Sequence, residues 1–222
     1  MTTTTKTMNR ATNPFLLTHT VIAVLLVLMV QAAIAAPTLT AIEQQWDITN
    51  FMLTGDAQIA AFEQLQADSE AYTTAHPAEA EGWIWRGIID SSFAGAKGGL
   101  GALGLAKSAR KYFDKAIDID GDAMQGSAYS SLGTLYYSVP GWPVGFGNDD
   151  KAEELLQKGL SLNPDGIDSN YFYAEFLANQ KKPSQAVEYY RKALKAPPRE
   201  GRAVADDGRR KQAQSAISDI EA

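Results

Sequence analysis

The sequence predicts an all-α fold, a solenoid of short helix hairpins, and three observations carry that expectation. Beyond Pro37 apolar residues recur at three- and four-residue intervals, with few runs of β-branched residues. Glycine and proline punctuate this pattern at regular distances. One block recurs along the chain: "AEELLQKGLSLNP" at 152–164 aligns without a gap on "AVEYYRKALKAPP" at 186–198, and "ARKYFDKAIDIDG" at 109–121 joins them.

The chain of 222 residues opens with a different pattern. Lys6 and Arg10 precede an apolar run from Val21 to Val30, and small residues follow at Ala32, Ala33, Ala35 and Ala36. That is the layout of a secretory signal peptide. Cutting after Ala35 leaves Ala33 and Ala35 at the small-residue positions, so residues 1–35 are expected to leave and 36–222 to form a single helical domain. The apolar core of about ten residues is well short of the roughly 20 that span a bilayer, so no stable membrane insertion is expected after cleavage.

Cleavage removes two positive charges and moves the formal charge from −6 to −8. An acidic surface repels phosphate backbones and anionic lipid, which argues against nucleic acid as a partner. The chain has no cysteine, so disulfides and thiolate metal sites are excluded and packing must supply the stability. His19 leaves with the leader, and His76 is then the one imidazole.

Helical spacing predicts helices over 39–53, 57–75, 79–94, 102–119, 122–138, 149–162, 167–180, 183–196 and 202–220. The breakers fall between them: Gly55, Pro77, Gly98 and Gly99, Gly121, the stretch Pro140 to Gly147, Pro164 to Gly166, Pro183, and Pro197 with Pro198. Within the recurring block Ala152 matches Ala186, Leu156 matches Tyr190, Gly159 matches Ala193 and Pro164 matches Pro198. Ala109, Phe113 and Ala116 take the same places in the first copy. Each block follows a partner helix, "WIWRGIID", "YSSLGTLYY" or "NYFYAEFL", whose Gly87, Gly133 and Ala174 permit close crossing.

This pattern resembles the tetratricopeptide repeat, a helix pair of about 34 residues with small and large positions in fixed order and a closing proline. Three units match, 80–121, 126–164 and 167–200. The segment 39–77 is a degenerate leading pair and 202–220 a C-terminal capping helix. The first two units carry extra residues between their helices, the glycine-rich 95–105 and "GWPVGFGN" at 141–148. The C-terminal half is similar to bacterial exported tetratricopeptide proteins related to the regulator-of-microtubule-dynamics group, and more loosely to the T-component of tripartite transporters. Those families imply a helical scaffold in the periplasm without established catalysis.

Chemical motifs are weak by comparison. "GLGALG" at 99–104 fits the dinucleotide fingerprint, but no strand leads into it. "GALGLAKS" at 101–108 approaches a P-loop, yet Ala106 stands where glycine must let the backbone approach phosphate. "NPDGID" at 163–168 lacks the glutamate of a calcium loop, and Asp168 reads instead as a helix N-cap. With no thiol, no zinc pattern and one histidine, no catalytic residue, metal site or cofactor is expected, and the chain is read as non-enzymatic.

The functional surface is then a face. The resemblance places the first helix of each pair on the concave side. That assigns Ile84, Ile88 and Ser91 there in the first unit, Ser127, Ser130, Thr134 and Tyr137 in the second, and Asp168, Tyr171, Glu175 and Asn179 in the third. This polar, aromatic set suits an extended peptide of a protein partner or a small polar ligand. The expected function is an exported, non-catalytic scaffold for protein–protein interaction. The alternative is a ligand-binding accessory of a transport system, which a closed pocket lined by Trp83, Trp85, Tyr136 and Tyr173 would favour. In "GWPVGFGN" the prolines suit a rigid loop folded down, with Trp142 and Phe146 packed inward; the other possibility is that they face a partner.

Overall fold

The computed structural model describes residues 1–2 and 37–222. The expected leader and its cleavage point therefore lie outside the described residues. Among those described, nine α-helices follow in order: α1 Leu39–Met52, α2 Gly55–Ala75, α3 Ala80–Lys97, α4 Gly99–Asp120, α5 Ser127–Ser138, α6 Asp149–Leu162, α7 Ile167–Asn179, α8 Pro183–Lys195 and α9 Ala203–Glu221.

Local chemistry explains several of the boundaries. Thr38 accepts a hydrogen bond from the Ala41 N–H at the start of α1, and Asn148 does the same for Lys151 at the start of α6. Pro183 opens α8, where its missing N–H costs nothing. Between α3 and α4 only Gly98 intervenes, and Gly98 and Gly99 both take left-handed backbone, φ 61° and 60°.

That last join corrects the expectation for 95–105. The glycine-rich stretch is helix, not a loop, because alanine, leucine and lysine around Gly101 and Gly104 carry the first turns of α4. The first unit is long because its helices are long. The predicted helix over 122–138 is also interrupted: Ala123–Gly126 forms a 3-10 turn, with Met124, Gln125 and Gly126 at positive φ, before α5 starts at Ser127.

The hairpins α1/α2, α3/α4, α5/α6 and α7/α8 stack in sequence through overlapping cores. Trp46, Phe62, Trp85 and Phe93 fill the first, Ile84, Phe113, Leu132 and Leu155 the second, and Leu156, Tyr173, Phe176 and Tyr190 the third. The small positions of the repeat do the work expected of them. A Cβ on Gly87 would lie 2.5 Å from the Phe113 ring, and one on Gly133 would lie 2.7 Å from Leu156.

The C-terminal helix departs from a simple cap. Beyond packing on α8 and α7, α9 also lies against α1, so the two ends of the solenoid meet. Gly208 allows it, since a Cβ there would run into the Phe51 ring.

Gly87→Ala should overpack the α3/α4 crossing and cost about 1–3 kcal/mol, measured as a lower urea midpoint at unchanged slope. Gly95→Ala is the control. It has open space around the added methyl, and its stability should stay level or rise by about 0.5–1 kcal/mol.

Candidate functional site

The joint between α9 and α1 is built from charge. Arg202, immediately before α9, donates from Nη2 to Asp47 at 2.7 Å, from Nε to the same carboxylate at 2.9 Å, and from Nη1 to Glu43 at 2.7 Å. Arg202 and Asp47 are both buried, and the guanidinium also lies 5.1 Å from the Trp85 ring and 5.9 Å from Trp46. A second cluster extends this one. Arg199 Nε donates to Asp206 and its Nη1 to Asp168, both at 2.7 Å, while Arg209 Nε donates to the other Asp168 oxygen at 2.8 Å. Arg209 is held among the rings of Phe51, Tyr171 and Phe172.

Burial alone would raise the Asp168 carboxyl, but Arg209 and Arg199 outweigh it and hold the group down to about 2. Asp168 lies within the first turn of α7, which is capped by Gly166, so the N-cap expected at Asp168 is not there. The arginines across the joint claim both of its oxygens instead.

Because the ends meet, the concave side is a part-enclosed chamber of about 1130 Å³. Residues of α5 line one wall, Ser127, Ser130, Ser131, Thr134 and Ser138, with the Ser130 Oγ turned onto Gly159 and the Thr134 hydroxyl donating to the Ser130 carbonyl. Ile88, Ser91 and Ser92 of α3 and Asp168, Ser169 and Phe172 of α7 line others. The arginine joint with Trp46 and Trp85 closes one end. Among the described residues no group of three or more His, Cys, Asp or Glu side chains is placed to hold a metal ion.

Of the residues assigned to the concave face, Ile88, Ser91, Ser127, Ser130, Thr134 and Asp168 come together in this chamber. Ile84 does not: it is fully buried against α4, because α3 is packed on two sides and its exposed stripe is narrower than the repeat pattern implies. Tyr137, Tyr171 and Glu175 form a separate cluster. Tyr137 packs on Phe176, Tyr171 on Tyr190, and the Tyr190 hydroxyl donates to Glu175. Burial, with Glu175 nearby, pushes the Tyr171 hydroxyl up to about 12. Asn179 is exposed at the end of α7, away from the chamber lining. Of the pocket aromatics expected for a transport accessory only Trp85 lines the cavity; Trp83, Tyr136 and Tyr173 do not.

Sequence reasoning missed Trp46, Asp47, Arg199, Arg202 and Arg209. A signal was present. The inward stripe of α9, Ala205, Asp206, Arg209, Ala213 and Ile217, is apolar in its second half and charged in its first. Charge on a buried stripe calls for a partner.

The inserted loop is closed by its own backbone. Gly147 N–H donates to Pro140 O at 3.0 Å, Gly145 N–H to Gly141 O at 3.1 Å, and Asn148 N–H to Tyr136 O at 2.9 Å. Side chains on Gly145 or Gly147 would collide with the carbonyls of Pro140 and Val139. The expectation that both aromatics pack inward holds for one. Phe146 lies edge-on to Tyr136 at 5.5 Å with Arg110 over it at 5.1 Å, whereas Trp142 is 90% exposed. A tight loop presents two sides, and Phe146 occupies the one facing the helices.

Asp47→Ala removes the main counter-charge of a buried guanidinium. It should destabilise the fold by a few kcal/mol, toward the low end of about 3–5 because Glu43 remains. Since the folded-state value of Asp168 lies below its ordinary 3.8, its contribution is complete above that value and is lost as pH falls toward about 2. Thermal melts between pH 5 and 2 should show that loss, and Asp168→Asn should flatten it.

Comparison with known proteins bears on the scaffold. The family model described as "Tetratricopeptide repeat" matches residues 167–200. A thermophilic TPR protein of Thermus thermophilus superposes with a TM-score of 0.53 at 17% identity, over 73% of this chain and 90% of that one. Two structures of MamA give TM-scores of 0.43 and 0.42, at 18% identity over 73% of this chain and 88% of that chain, and at 17% over 81% and 89%. Among curated proteins no sequence matches. One helix pair, residues 167–200, thus matches the tetratricopeptide repeat by sequence, and the described residues have an all-α helical-repeat fold similar to that of the Thermus protein.

Proposed function

We propose that this chain is an exported, non-catalytic scaffold that holds an extended segment of a protein partner in its central chamber and against the inserted loop. One observation carries the reading: α9 returns to α1 and converts the concave face of a repeat fold into a chamber of about 1130 Å³. Small-molecule sites commonly measure about 300–1,000 Å³, so this space accommodates a peptide segment and excludes a folded domain. Its hydroxyls at Ser127 and Ser131 suit backbone amides and carbonyls, and the three arginines are already engaged by carboxylates. Repeat folds use such concave surfaces for extended ligands. Export is supported by the leader pattern of residues 1–35, and the periplasm by the family likeness. Among the described residues, no helix is long and apolar enough to cross a membrane.

Enclosure also favours a second reading, a small polar ligand carried for a transport system. Affinity capture from the native compartment separates the two. Wild type should retain a partner that Ser131→Trp, which fills the chamber, loses by about tenfold or more, while Asn179→Ala retains it. Equal capture by wild type and Ser131→Trp overturns the scaffold reading. A bound small mass in native mass spectrometry, lost with Ser131→Trp and without any co-purified protein, establishes the second. Terminal sequencing of the secreted chain should begin at Ala36, and an intact Met1 in the mature protein would contradict export by cleavage.

A further inference from the structure

The loop between α5 and α6 has a second side, outside the chamber. Arg110 of α4, Tyr136 of α5, Lys151 of α6 and the loop residues Trp142, Phe146 and Asn148 surround an open pocket of about 520 Å³. Its floor is aromatic and its rim is cationic.

Three facts make this pocket unlike the rest of the surface. Tryptophan is seldom left in water, yet Trp142 is 90% exposed on a loop whose glycines and backbone hydrogen bonds fix its shape. Nothing in this arrangement requires an indole there, since Phe146 already anchors the loop. An indole carried on a fixed backbone loses less freedom on binding than one on a mobile loop, which is the property of an interface anchor.

The two cations are also held differently from those of the joint. Arg199, Arg202 and Arg209 are locked by carboxylates at 2.7–2.9 Å. Arg110 reaches only Asp114, at 3.6 Å and with both side chains well exposed, and its guanidinium is spread over the Tyr136 and Phe146 rings at 5.3 and 5.1 Å. Lys151 meets both oxygens of Glu154 at 2.9 Å, as close as the pairs of the joint, but the two are neighbours on one helix and Glu154 is 68% exposed, so what sets this pair apart is its exposure to water. Surface pairs of this kind are worth little and exchange readily for a better acceptor. Asp149 and Asp150 lie nearby in the first turn of α6, but neither lines the pocket.

A chain of formal charge −6 thus presents two available cations on two different helices, bracketing an aromatic floor and an exposed indole. A single chain terminus would satisfy one cation. Two, separated by apolar surface, call for carboxylates on either side of an apolar side chain.

We propose that this pocket is a docking site for an acidic segment of a partner protein, one that sets an aromatic or aliphatic side chain against Trp142 and Phe146 between carboxylates that meet Arg110 and Lys151. It deepens the scaffold reading by naming the partner's chemistry, and it uses a surface separate from the chamber.

Selection of a random-peptide display library on the purified full chain tests it. Enriched peptides should carry acid, apolar and acid residues in one short run, and each should bind about tenfold or more weaker to Trp142→Ala and to Arg110→Gln, read by fluorescence anisotropy. Trp142 is exposed, so its replacement should leave the melting temperature unchanged. Binding that survives Trp142→Ala, or enriched peptides without acidic residues, overturns the proposal. Peptides lost with Ser131→Trp but indifferent to Trp142→Ala leave the chamber reading standing and remove this one. Enrichment only of peptides with free acidic C-termini assigns the pocket to a terminus and refutes the internal segment. No enrichment on any form refutes both readings.

Discussion

The ion pair between Arg202 and Asp47, 155 residues apart in sequence, is the constraint on which the rest of this structure depends. A solenoid's stability is close to a sum of neighbouring interfaces, and its ends ordinarily do not communicate. Here the last helix bonds to the first. Burying two such charges costs several kcal/mol per ion unless the geometry is good, and this pair meets the condition: the guanidinium makes three contacts to the Asp47 carboxylate, one to Glu43, and faces two indole rings. An apolar joint would tolerate sliding of α9 along α1. A bidentate pair fixes one register, and with it the shape of the chamber.

The same network decides what the chamber offers. Asp168, Asp206 and Asp47 offset the arginine charge at that end inside the protein, with Arg199 Nη2 the one buried guanidinium nitrogen left without a partner among the described residues. The closure is also constitutive. The low value of Asp168 keeps it ionised, arginine does not titrate, and the imidazole of His76 sits at the end of α2, bonded to Glu79. Among the described residues, no histidine lies at the joint.

How far the sequence foretold this depends on the range of the interaction. The hairpins were legible because periodicity and small-residue positions are local: Gly87 under Phe113 and Gly133 under Leu156 follow from spacing alone. The closure was not, since no local pattern pairs residue 47 with residue 202. Its trace was the charged half of the α9 stripe, which reads as a solvated face until the opposite surface is known. The concave face was legible in part for a related reason. Ser127, Ser130 and Thr134 lie on a helix with a free side and fall where the repeat pattern puts them. Ile84 and Tyr171 belong to helices covered on more sides, by α4 in one case and by α8 and α9 in the other, so the same pattern leads into the core.

The loop shows a different limit. Two aromatics near helix surface invite the expectation that both are buried, because burying a ring is favourable at any single position. Geometry sets the two apart. With Gly145 and Gly147 pressed against the carbonyls of Pro140 and Val139, the loop is too tight to fold over itself, and Phe146 is the ring that packs on Tyr136. Phe146 is nearer in sequence to the start of α6 and takes that place, which fixes the loop and turns Trp142 outward. The exposure of Trp142 is therefore a product of the anchoring of Phe146, and the fixed backbone that leaves the indole in water is also what would let it meet a partner with less loss of freedom than on a mobile loop.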